Sequence, residues 1–234
     1  MNIFKKKKIL VLAAHPDDEL LGLGGTIHQC VSENNSQVRV IILSNGIGSR
    51  NKEISKKEIE KKLVNIYKAS EILGITKTKL HDLPDNRFDS IDLLDVIKIV
   101  ESEIDDFDPD VIFTHHEMDL NIDHRIVFQA VITATRPIQD FKSIIIMTFE
   151  TPSSTEWQVQ DSHAAFHPNF YQMISKKNIA AKQRALKAYT TECRSYPHPR
   201  STKALEIIAR RWGTVIGVEF AEAFKIIRFI SKYK

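Results

Sequence analysis

Residues 9–14 form an apolar run, ILVLAA, that stops at His15-Pro16-Asp17-Asp18-Glu19, and an amphipathic pattern starts immediately behind it. A run of Ile, Val and Leu without polar alternation marks a strand buried on both faces, and such strands belong to parallel sheets covered by helices. The polar cluster then falls between the carboxyl end of a strand and the start of a helix, where open α/β sheets hold their ligands. One histidine and three acids in five residues are costly to keep together at such a place. A bound cation accounts for them.

The same alternation continues down the chain. Strands are expected at residues 8–14, 38–43, 79–83, 111–114 and 144–149. Helices are expected at 18–34, 53–73 (closed by Gly74 as a C-terminal cap), 90–106, 126–135, 174–189 and 203–216. Gly22, Gly24 and Gly25 lower helix stability near the start of the first helix, which implies close backbone packing or a close ligand. Residues 150–171 lose all periodicity among Pro, Ser, aromatic and His residues, and a loop of that length is usually functional. There is no repeat, linker or low-complexity tract. The expected fold is α/β, a Rossmann-like open, mostly parallel sheet with helices on both faces, in a single domain over residues 1–234.

Composition narrows the function classes. The net charge of +3 gives no case for nucleic acid, since Lys5 to Lys8 and Lys56, Lys57, Lys61 and Lys62 read as solvated faces. Cys30 and Cys193 lie outside any C-x-x-C pattern and read as reduced thiols of a reducing compartment. The basic and apolar start superficially resembles a signal peptide. Its six-residue core is too short for export or for a membrane span, so the expected location is cytoplasmic.

A second polar cluster, HHEMDLNIDH at 115–124, follows the strand at 111–114. Strand ends of a parallel sheet lie side by side, so the two clusters can converge. His15 and Asp18 are three residues apart and share a face. With one distant His they supply two imidazoles and one carboxylate, a donor set that leaves zinc an open position for water. Water bound there has its pKa lowered from about 16 toward about 7, and a free carboxylate such as Asp17 can take its proton. The residues alone leave simpler readings open: the acids complement the helix dipole and cap its free N–H groups, and the histidine is structural. A dinucleotide fingerprint is rejected, because Gly22-Leu23-Gly24-Gly25-Thr26-Ile27 has Ile where the last Gly belongs. A magnesium phosphohydrolase built on Asp17 and Asp18 is disfavoured by the two imidazoles, which suit zinc.

The segment AAHPDDELLGLGGT resembles the signature of the LmbE-like, or PIG-L, N-deacetylases. Further resemblance lies in the A-x-x-x-L-G segment at 69–74, the L-P-D segment at 83–85, PDVIFTHHEMDLNIDHR as a second metal motif, and the tail GVEFAEAFK at 217–225. The resemblance implies a Zn2+ site, with Fe2+ as another divalent ion for the same donors, formed by His15, Asp18 and His124. It implies Asp17 as general base, with Asp123 orienting neighbouring groups. Two departures stand out. Asn121 occupies the place of the family's usual histidine; its amide can donate to an oxyanion but cannot act as an acid, so either the zinc and Asp17, protonated after water attack, handle the proton or His115 or His116 takes that role. Lys62 and Asn65 stand where the family often has Arg and Glu. Candidate substrate contacts are Arg50, Asp85, Asn86 and His116. Trp157, His163 and His167 are candidates for a lid, and Arg200 either meets a phosphate of a nucleotide sugar or caps the helix at Ser201.

The implied activity is hydrolysis of the N-acetyl group of an N-acetylglucosamine-type sugar or conjugate, giving acetate and a free amine. The partner is then a small amino sugar, nucleotide sugars included. Three alternatives stay open: an amidase acting on a thiol–sugar conjugate, a different acyl group, and a non-catalytic sugar binder. Ile226, Ile227, Phe229 and Ile230 either close the core or meet a second copy of the chain in a homo-oligomer.

Overall fold

The computed structural model describes residues 2–46, 56–138 and 143–230. Its first half alternates strand and helix: β1 (Lys8–Ala13), α1 (Asp18–Ser32), β2 (Gln37–Ile42), α2 (Lys56–Leu73), β3 (Lys77–Leu80), α3 (Leu93–Phe107), β4 (Val111–His115), α4 (Ile122–Ala134) and β5 (Ile145–Phe149). These five strands are parallel to one another. Then come β6 (Phe170–Met173), α5 (Lys176–Ala188), α6 (Thr202–Ile216) and β7 (Ala221–Arg228). The seven strands form one sheet in the order β3-β2-β1-β4-β5-β7-β6. The order reverses direction between β1 and β4, so the crevice at their carboxyl ends is the topological switch point. Both polar clusters open into it.

The apolar run of β1 is continuous because it serves two cores at once. Ile9 and Val11 pack with Leu20, Ile27, Ile66 and Ala185 on the face covered by α1, α2 and α5. Leu10, Leu12 and Ala14 pack with Val96, Val100, Val127 and Val131 on the face covered by α3 and α4. The expectation of a mostly parallel, doubly covered sheet holds.

Its antiparallel edge is new. β7 pairs with both β5 and β6 in antiparallel register, whereas residues 150–171 and the tail carried no expected strand. β6 is four residues long and β7 breaks its pattern with Glu222 and Lys225, so neither shows the hydrophobic run of a central strand. Ile226 and Ile227 are partly buried against opposite faces of the sheet and so close the two cores, while Phe229 is 56% exposed. The fourth helix also starts earlier than its apolar period suggests, because Asn121 caps it by accepting the Asp123 N–H at 2.9 Å.

The glycines of α1 answer to packing. A Cβ on Gly22 would come within 2.3 Å of Phe149, and one on Gly25 within 2.7 Å of Ile174. Between them Leu23 leaves helical geometry (φ −140°, ψ 22°), and the freed N–H groups of Gly25 and Thr26 donate to the Glu222 carboxylate at 3.0 and 2.6 Å. Lys182 balances that buried charge at 2.6 Å. We expect Gly22→Ala to lower stability by about 2 kcal/mol through overpacking, read as a lower urea midpoint with unchanged slope; an unchanged midpoint contradicts the packing account.

Candidate metal centre

Ala14 follows β1 directly and His115 ends the adjacent β4, and the Ala14 N–H donates to His115 Nε2 at 2.9 Å. This bond locks the two clusters together. Just beyond it, His15 Nδ1 lies 3.3 Å from His124 Nε2 and 3.5 Å from Asp18 Oδ2, and His124 Nε2 lies 3.3 Å from the same Asp18 oxygen. Donors placed about 2.0–2.1 Å from a tetrahedral ion stand about 3.3–3.4 Å from one another. The three atoms therefore have the spacing of three vertices around one small cation, and their chemistry, two imidazole nitrogens and a carboxylate, suits zinc or another divalent transition ion.

Each imidazole is held from behind by a carboxylate. Asp123 Oδ2 is 2.9 Å from His15 Nε2, and its other oxygen accepts the Phe88 N–H at 3.0 Å. Asp119 Oδ1 is 3.0 Å from His124 Nδ1 and accepts the Asn121 N–H at 2.9 Å, while the hydroxyls of Ser154 and Thr155 also donate to this carboxylate. Such pairs fix the ring orientation and raise its basicity as a ligand. Burial alone pulls both rings down, but Asp123 and Asp18 bring His15 up to about 9, and Asp18 and Asp119 bring His124 up to about 10. Asp18 goes the other way: burial raises it, and the neighbouring imidazoles outweigh that and hold it well below the usual carboxylate range. The site is a concentrated negative field that calls for positive charge.

Asp17 sits beside these donors in the left-handed region (φ 88°), a strained setting for a non-glycine residue, and is 1% exposed. Burial pushes its carboxyl up to about 7, with the Arg200 guanidinium, 3.2 Å from Oδ2, pulling the other way. Arg200 is itself steadied by Ser153 Oγ at 2.6 Å and Glu192 at 3.5 Å. Glu19, the third acid of the cluster, does not reach the donors. Its carboxylate accepts the Asp17 N–H at 3.1 Å and the Tyr189 hydroxyl at 2.9 Å, and burial raises it to about 8.

Of the other residues singled out in the sequence, Asp85 joins the centre, its Oδ1 lying 3.4 Å from His15 Nε2 and accepting from the Asn86 amide at 2.9 Å. Asn121 stands at the rim; its amide donates to Asn86 Oδ1 at 2.9 Å. His116 is drawn away from the donors, with one ring nitrogen on Glu117 and the other on the Ala164 carbonyl, at 3.0 and 2.9 Å. His115 is fully buried and stacks on His124 at 3.8 Å, and burial drives it down to about 3, so it is a neutral scaffold ring. His163 and His167 are exposed. Arg50 lies outside the described residues. Sequence reasoning missed Asp119 and the reach of Arg200 to Asp17. Asp119 stood inside the second polar cluster, but nothing in its spacing ties it to His124; Arg200 lies in the Pro-rich loop at 195–201, 183 residues from its partner.

An α/β sheet with a two-histidine, one-aspartate donor set at its switch point describes a class; comparison supplies the family. The family model described as PIG-L, GlcNAc-PI de-N-acetylase, matches residues 10–135, more than half of the chain, and the protein belongs to this family. The chain is 28% identical over 190 residues to the uncharacterized deacetylase YaiS of Escherichia coli (strain K12), covering 79% of this chain and 91% of the relative. Among solved structures it shares its fold with the conserved protein TT1542 of Thermus thermophilus (TM-score 0.76, 23% identity, 96% of each chain). It shares it also with the N,N'-diacetylchitobiose deacetylase of Pyrococcus horikoshii (TM-score 0.75, 20% identity, 97% of this chain and 86% of that one). No helix among the described residues is long and apolar enough to cross a membrane.

The Arg200 contact makes a direct prediction. In Arg200→Met, Asp17 loses its cation and titrates at higher pH than in the unaltered protein, as followed by carboxyl carbon NMR. An unchanged midpoint removes Arg200 from the electrostatics of the site.

Proposed function

We propose that this protein is a zinc-dependent N-deacetylase of an N-acetylglucosamine-type sugar or its conjugate, releasing acetate and a free amine. The observation that carries the reading is the spacing of His15, Asp18 and His124 beside the buried carboxylate of Asp17. Membership of a de-N-acetylase family and the deacetylase relatives support it.

His15, Asp18 and His124 would hold the ion, and a bound ion would supply Lewis acidity for the amide carbonyl and a lowered pKa for water. Asp17 takes the proton from the attacking water and later delivers it to the departing nitrogen. A carboxyl near 7 suits both directions, because acid and base forms are populated together at neutral pH. Arg200 engages Oδ2 and keeps enough of the carboxylate ionised to act as a base. Asp123 and Asp119 do not touch substrate; they hold His15 and His124 in register. Asn121 has two amide hydrogens, and Asn86 takes one. The second is offered to the carbonyl oxygen as charge grows on it, a task that needs a donor but no acid. Asp85, Asn86 and, by family analogy, Arg50 are assigned to sugar hydroxyls, and His116 carries no role because its ring nitrogens are occupied.

Elemental analysis and acetate release from N-acetylated sugars test the reading. The purified protein carries about one zinc per chain, and His124→Ala loses both the metal and turnover. Asp17→Asn keeps the metal while acetate release falls by about 10²–10⁴-fold. A metal-free wild type, or a zinc-loaded one that releases no acetate from any acetamido sugar, sinks the proposal. In Asp119→Asn zinc binds about 10–100-fold more weakly; affinity equal to wild type shows that Asp119 does not support His124.

A further inference from the structure

Residues 153–158 are tied to the centre. Ser154 and Thr155 donate to Asp119, the carboxylate behind His124, and they begin the 3-10 turn Thr155–Trp157. The Trp157 N–H closes that turn on the Ser154 carbonyl at 3.2 Å. The next residue, Gln158, donates to the Met118 carbonyl at 3.3 Å, and Ser153 accepts from Arg200 Nε at 2.6 Å. The segment is therefore fastened on both flanks to groups of the site.

Trp157 is nevertheless 55% exposed. Its ring meets His198 edge-on at 5.8 Å, and His198 Nδ1 accepts the Arg200 N–H at 3.0 Å, the same Arg200 that reaches Asp17. Trp212, the other tryptophan, is 5% exposed with its N–H on Glu150, which is how this fold treats an indole it needs for packing. Leaving a large rigid aromatic ring in water gains the fold nothing; its chain neighbours are the polar Glu156 and Gln158, and its ring meets His198.

We propose that Trp157 is a stacking platform for a second pyranose ring of the substrate, next to the ring whose acetamide is hydrolysed, and thereby determines specificity. One aromatic face with a polar rim complements a sugar, which has an apolar C–H face and a hydroxyl edge. Trp157 is linked to Asp17 through His198 and Arg200, so the ring stacked on it is assigned as the neighbour of the reacting one. This inference rests on the N-deacetylase reading and sharpens it toward oligosaccharide or glycoconjugate substrates.

Kinetics and fluorescence with N,N'-diacetylchitobiose and N-acetylglucosamine test it. Trp157→Ala raises KM for the disaccharide about tenfold more than for the monosaccharide, with the loss in KM rather than kcat, and Trp157→Phe restores most of it. In the slow Asp17→Asn background the disaccharide gives a saturable change in tryptophan emission, which disappears when Trp157→Phe is added. An unchanged disaccharide KM in Trp157→Ala, or an emission change that survives Trp157→Phe, overturns the platform while leaving the deacetylase reading standing. Emission that responds through Trp157 without any acetate release from the wild type supports the platform and overturns the deacetylase reading instead.

Discussion

The burial of negative charge at one point is the constraint to which the rest of this structure answers. Asp17, Asp18, Asp119 and Asp123 are each at most 1% exposed. Carboxylates removed from water need compensating charge or donors. Asp123 is met by the His15 ring and the Phe88 N–H, Asp119 by His124 and two hydroxyls, and Asp17 by Arg200. What remains is the meeting of Asp18 with two imidazoles, where the geometry suits a cation. The compensation comes from four loops and the start of α4, so satisfying the charge also fixes the walls of the crevice.

The sheet makes this convergence available. Parallel strands bring all their carboxyl ends to one side, and the reversal of strand order between β1 and β4 opens a gap there. His115 shows how closely the scaffold and the site are joined: its Nε2 accepts the Ala14 N–H, while its ring face supports His124. The bend in α1 belongs to the same frame. Glu222 from β7 caps the second half of that helix, whose first turn presents Asp18. The late antiparallel strand thus contributes to the orientation of the earliest motif.

Much of this was legible in the residues. The unbroken apolar run of β1 predicted burial on both faces, and its two alternating sets do pack into two cores. The pairing of His15 with Asp18 follows from a local spacing of three, and His124 follows from a second polar cluster after a second strand. β6 and β7 were hidden because β6 is a short edge strand and β7, though paired on both sides, interrupts its apolar residues with Glu222 and Lys225. Gly22 and Gly25 were ambiguous, since a close ligand and a close side chain demand the same absence of Cβ.

By itself the sequence determined the parallel α/β core, the place of its polar clusters at strand ends and the type of donor in them. These are properties of short stretches, set by periodicity and by residue chemistry. Only the tertiary structure decided that Asp119 faces His124 and not solvent, that Arg200 crosses to Asp17, that His115 is a scaffold ring while His116 is turned aside, and that Trp157 stands exposed on a tethered turn. Those assignments depend on distances through space between residues as many as 183 positions apart. Electrostatic and hydrogen-bond partnership falls off over a few ångströms, and linear spacing carries no record of which distant groups come that close.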